Sequence, residues 1–159
     1  MNKRISDMEE VNYIPGDLVM TDGAPIGTKK GVVYMVTASD PNRTLTLKDG
    51  TVNKGVVTLD AVTEEDKAYF VETSTWVKHI VPIPFTEKIL EANGWVWASN
   101  EYRPESLLHP ECKLDIEVTK ENGCEVFFNY DYENTMILNY VHQLQHLLFG
   151  LGLDSSLKV

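Results

Sequence analysis

Long apolar runs are missing from this chain. None of its 159 residues sits in a stretch approaching the ~18 consecutive apolar residues of a membrane-spanning helix. The opening residues, MNKRISDMEE, are basic at the start and lack a following apolar run. That argues against a secretory signal peptide, so the expected location is the cytoplasm, with no membrane contact. Cysteine is scarce: Cys112 and Cys124 are too few for a disulfide framework. A Walker-type glycine loop, a G-x-S-x-G elbow and a Cys-x-x-Cys pair are all absent. Their absence removes the common sequence signatures of nucleotide hydrolysis, serine-type acyl transfer and thiol redox chemistry.

Positive charge is also in short supply. The formal net charge is −10, and residues 65–159 carry seven Lys/Arg against fifteen Asp/Glu. Sequence-independent nucleic-acid binding needs cations to displace counterions from phosphates, and this part has the wrong sign. Residues 1–64 are nearly balanced, with seven against nine. A small basic patch of Lys29, Lys30, Arg43, Lys48 and Lys54 is read as a solvated surface, giving weak nucleic-acid binding or none.

What is present is ample apolar material, 43% of residues, enough for a packed core. The first ten residues read as a tail. Pro15-Gly16-Asp17 is a turn before a short strand at 18–20. GVVYMVTA (31–38), TLTL (44–47) and KGVVTLD (54–60) read as further strands, separated by turns at SDPNR and Asp49-Gly50. Regularly spaced short strands are the texture of a small β-barrel or sandwich. Thr63 before Asp66 predicts a short helix over 64–72. The segment 75–83, TWVKHIVPI, reads as a strand closing the barrel.

PIPFTEKILEANGW carries the clearest local signal. Thr86 is an N-cap, Phe85 and Leu90 have the spacing of a hydrophobic staple, and Asn93-Gly94 supplies the stop. A helix over about 87–93 follows, then a strand at 95–99 and a loop at 103–111. KLDIEVT and CEVFFNY flank KENG, a hairpin signal. A loop at Glu121–Gly123 sets Val118 against Val126, Ile116 against Phe128 and Leu114 against Tyr130. In that register the two cysteines lie eight residues apart along the hairpin, roughly 26 Å at about 3.3 Å per residue, so both are expected as free thiols. Trp76, Trp95 and Trp97 offer aromatic surface, but on short strands they are read as core.

VHQLQHLLFG holds two histidines four apart, His142 and His146. Such a pair shares a helix face and resembles half of a zinc site. A zincin needs H-E-x-x-H, the glutamate activating a metal-bound water. Here that place is taken by Gln143, which cannot act as a base. His79, in an expected strand, and His109, in an expected loop, have no spacing that makes either a third ligand. With a helix starting near Asn139 or Asn134, Tyr140, Val141, Leu144, Leu147, Leu148 and Leu151 form the apolar stripe. His142 and His146 then fall on the opposite, solvent-facing side. No catalytic, cofactor-binding or metal-ligating residue is nominated, and no cofactor is implied.

Two of these stretches carry a resemblance. PIPFTEKILEANGW followed by NYVHQLQHLLFGLG is similar to a family of uncharacterised proteins from phages and mobile elements of gut Bacteroidetes. Those proteins read PIPLTEEIL and, near the end, YVHQLQNLYF. The match spans about residues 80–152, with asparagine in the family where this chain has His146. The resemblance implies a phage or mobile-element setting and no assigned reaction.

The expectation is therefore an α+β protein. A small SH3-like β-barrel over 11–83 precedes an α+β domain over 84–159 with a helix, an antiparallel sheet and a C-terminal amphipathic helix. The function expected is non-catalytic binding of a protein partner. The alternatives are a nucleic-acid-contacting barrel protein and a small metal-dependent hydrolase built on His142 and His146.

Overall fold

The computed structural model describes residues 12–98, 106–111, 114–119, 123–128 and 131–159. They form an α+β protein that divides between Val81 and Pro82 into two compact units. The expected N-terminal tail and the position of Cys112 lie outside the described residues.

The first unit is a mostly antiparallel five-stranded sheet. Its strands are β1 (Leu18–Thr21), β2 (Tyr34–Thr46), β3 (Val52–Ala61), β4 (Thr73–Trp76) and β5 (Ile80–Pro82), in spatial order β4-β3-β2-β1-β5. Tyr13, Val19, Tyr34, Val36, Val57, Leu59 and Ile80 make its core, with Phe70 and Val77 packed against it. The strand expected over 75–83 is instead two strands joined by a 3-10 turn, Val77–His79. Its apolar positions do not alternate, and the turn absorbs that mismatch. Because β4 and β5 end on opposite edges, no pairing closes the sheet into a barrel among the described residues.

SDPNR does not turn the chain. It is a bulge within β2, where Asp40 pairs with Val56 and Thr44 with Lys54, so that residues 41–43 face the single residue Gly55. A bulge tolerates Pro41, which has no N–H to give a ladder. Gly55 is required there: its φ is +74°, and an added Cβ would meet Val77 Cγ2 at 2.9 Å. The helix expected over 64–72 is the single turn α1 (Glu64–Lys67). Thr63 caps it by accepting from the Asp66 N–H at 3.1 Å. It buries no side chain, so nothing extends it, and Phe70 leaves to pack against Tyr34, the rings tilted by 36° with centroids 5.2 Å apart.

The second unit holds α2 (Glu87–Ala92), a meander of β6 (Val96–Ala98), β7 (Ser106–Leu108), β8 (Leu114–Thr119), β9 (Gly123–Phe128) and β10 (Asp131–Leu138), and α3 (Val141–Gly150). β7 lies where a loop was expected, and Asn134, a candidate helix start, lies inside β10. The hairpin register differs by two residues from expectation: Leu114 pairs with Phe128, Ile116 with Val126 and Val118 with Cys124. A shift of two keeps each residue on the same face, so the apolar pairing survives. The core is Leu90, Trp95, Leu107, Leu138, Leu144 and Leu148.

Both helices of the core end in the same way. Trp95 N–H reaches Leu90 O and Gly94 N–H reaches Glu91 O; Leu153 N–H reaches Leu148 O and Gly152 N–H reaches Phe149 O. Each is a Schellman motif around a left-handed glycine, at φ +81° and +71°. The two motifs of the sequence also meet. Val141 N–H donates to Ile83 O at 3.0 Å, and Phe85 N–H donates to Asn139 O at 3.1 Å.

Candidate functional site

The first unit carries an open groove of about 480 Å³. One wall is the loop between β1 and β2, through Ala24, Pro25 and Ile26. The other is all of β4, Thr73 to Trp76, with Val56 and Arg43 behind it and His79 at one end. Alternate side chains of a strand point to opposite faces. The space touches all four residues of β4 and reaches Val56 of β3 and Arg43 of β2, so it borders that strand and the sheet beside it. β4 ends the sheet, and among the described residues it pairs with β3 alone. Ile26 is 92% exposed across from it, held out by a turn in which Thr28 N–H and Oγ1 both donate to Pro25 O. Thr28 Oγ1 also accepts from Thr21 Oγ1, tying the loop to β1.

The groove's electrostatics come from few groups. Asp22 Oδ2 lies 2.9 Å from His79 Nδ1, and Asp22 Oδ1 accepts from Ala24 N–H at 2.8 Å. These bonds, the His79 contact first, hold the Asp22 carboxyl below its usual range. Arg43, in the β2 bulge, is exposed and has no ion-pair partner among the described residues.

Compared with known proteins, the chain matches no family model, no curated protein and no solved structure.

The other residues singled out by sequence scatter. Lys29 and Lys30 sit in the loop before β2, while Arg43, Lys48 and Lys54 lie along the β2–β3 arm; all five are exposed. Trp76 is half-buried in the groove. Trp95 is core, edge-on to His109 at 4.9 Å. Trp97 donates its indole N–H to Glu91 at 2.7 Å. His109 accepts from Glu111 N–H at 3.1 Å, and burial lowers its pKa. His79 belongs to the 3-10 turn, not to a strand.

His142 is not on a solvent-facing side. It is 2% exposed, stacked on Tyr140 at 5.9 Å and edge-on to His146 at 5.7 Å. Burial, and then the His146 charge, push its pKa down to about 4. Among the described residues no third His, Cys, Asp or Glu joins the pair to hold a metal ion. Gln143 serves the helix itself. Its amide oxygen accepts from Asn139 N–H at 2.7 Å and Tyr140 N–H at 3.0 Å. Tyr140, not Asn139, is the N-cap.

Ile26 was not legible as a site residue. It stands alone between Pro25 and Gly27, where no period can tell an inward from an outward side chain. Its one signal is its type, a large aliphatic inside a run of turn residues.

Proposed function

We propose that the chain is a non-catalytic binding protein whose first unit takes an extended segment of a partner protein along β4. The observation that carries this is a groove lined by every residue of β4, which is an edge strand of the sheet, and faced by an exposed Ile26. An added strand gains backbone hydrogen bonds, each worth roughly 0.5–1.5 kcal/mol net, and side-chain pockets supply selectivity. Burying Ile26 adds up to about 1.5–3 kcal/mol. On this reading the unit is an SH3-like β-barrel left open between β4 and β5. Its support is the strand order and the 3-10 turn linking the two edge strands. The phage or mobile-element setting belongs to the same proposal and rests on the two motifs at 82–95 and 139–152.

The test is selection of displayed peptides on the full chain, followed by amide hydrogen exchange. Selected peptides are expected to slow exchange within residues 73–76 and to lose binding on an Ile26→Asp chain. Peptides that bind both chains equally, or that protect amides only outside β4, would overturn the reading. So would a selection yielding nothing above the Ile26→Asp chain.

A further inference from the structure

We propose that the segment taken along β4 is acidic and sets a carboxylate against the Arg43 guanidinium; this rests on the β-addition reading above. No carboxylate lines the groove, whose lining from β4 is Thr73, Ser74, Thr75 and Trp76. The two carboxylates bordering it in sequence are already engaged. Asp22 is held by His79 and the Ala24 N–H. Glu72, the residue before β4, accepts from Thr37 Oγ1 at 2.6 Å. Of the charged side chains in the groove lining, Arg43 has no ion-pair partner among the described residues. In a chain of net charge −10, the groove lining thus carries a guanidinium and no carboxylate.

The position of Arg43 is set by the backbone. It sits in the bulge opposite Gly55, whose left-handed φ and tight fit on Val77 hold the two strands in that offset. A guanidinium offers a planar fork of donors that matches a carboxylate in two parallel hydrogen bonds. A phosphate would also fit the fork, but its second charge calls for a second cation, and the one other such side chain in the lining, His79, is already held by Asp22. An extended acidic peptide satisfies both the backbone edge and the guanidinium.

The experiment uses capped ten-residue peptides alternating valine and threonine, with one glutamate, glutamine or phosphoserine moved through the central positions. Affinity and amide exchange are measured on the full wild-type chain and on Arg43→Gln. At one position glutamate is expected to bind about fivefold tighter than glutamine on wild type, and equally on Arg43→Gln. If all glutamate and glutamine peptides bind wild type alike while slowing exchange at 73–76, the acidic preference is wrong and strand addition stands. Phosphoserine binding tighter than glutamate on wild type overturns the carboxylate assignment. If no peptide slows exchange at 73–76, the strand-addition reading itself fails.

Discussion

A neutral imidazole shut inside a helix face makes stability depend on pH. His142 is buried, and its folded pKa of about 4 lies below the ~6.5 of an unfolded histidine. Between those values the unfolded chain takes a proton that the folded chain resists. Stability present above pH 6.5 is therefore lost as pH falls towards 4. Allowing for solvent screening, the loss is on the order of 2 kcal/mol. Urea melts of wild type and His142→Asn at pH 7.5 and 5.0 measure it. The variant should lose most of the pH slope, and an equal slope in both would remove His142 as its cause. Leu144, fully buried beside it on α3, has no such dependence; Leu144→Ala should cost about 2–5 kcal/mol at either pH. The sequence placed Leu144 correctly and His142 wrongly for one reason. Apolar type centres the stripe between Leu144, Leu147 and Leu151, but the buried arc is Val141, His142, Leu144, Gln145 and Leu148. That arc is rotated by roughly 80° at ~100° per residue. Gln145 can be buried because its side-chain N–H reaches Ser155 O at 3.1 Å, a partner ten residues on that no local pattern announces.

At the scale of elements, α3 starts in an unusual way. Its N-cap is Tyr140, a poor cap residue, and the free N–H groups there are met by Gln143 reaching back. Gln143→Ala should cost about 1 kcal/mol, read by thermal melts. Gln143→Glu keeps the acceptor and adds negative charge at the helix N-terminus, so it should melt at or above wild type. That variant writes H-E-x-x-H into the chain. It is still expected to show no zinc-dependent peptide hydrolysis, because the new carboxylate is committed to the cap. Hydrolysis that a chelator abolishes would show that a metal site had been one residue away. Elements defined by contacts near in sequence were legible: the Thr86 cap, the Gly94 stop, the Asp49-Gly50 turn and the antiparallel pairing of β8 with β9. β7 and β10 were not. DYENTMIL opens with polar residues, and it is a strand because β9 pairs with it. The groove was illegible for the same reason. It joins residues 24–26 to 73–76 across the fold, and of its lining only Arg43, Trp76 and His79 stand out in the sequence, each for a separate reason.

For the whole molecule the deciding quantity is charge. Residues 1–81 carry nine Lys/Arg against twelve Asp/Glu, and residues 82–159 carry five against twelve. Among the described residues Lys67 pairs with Glu64 at 2.8 Å within one exposed turn, a contact that offsets charge only locally. Like charges at this density repel one another more in the compact chain than in the expanded one. Screening should relieve that repulsion. Raising ionic strength from 0.01 M to 0.15 M shortens the Debye length from ~30 Å to ~8 Å. Relief of about 1 kcal/mol would raise the melting temperature by roughly 2–4 °C in a chain of this size. Melts in potassium chloride over that range are the measurement, at pH 7.5, where His142 is neutral in both states. The rise should saturate as the screening length drops below the spacing of the surface carboxylates. A melting temperature that falls with added salt would mean that attractive pairs outweigh the net −10. The same titration sets the conditions for the peptide measurements, since an acidic segment approaching an acidic chain is repelled at long range and held at short range. Its association rate should therefore rise with salt while its dissociation from Arg43 quickens. Association slowed by salt would place the segment's attraction in a long-range field that the charge distribution does not supply.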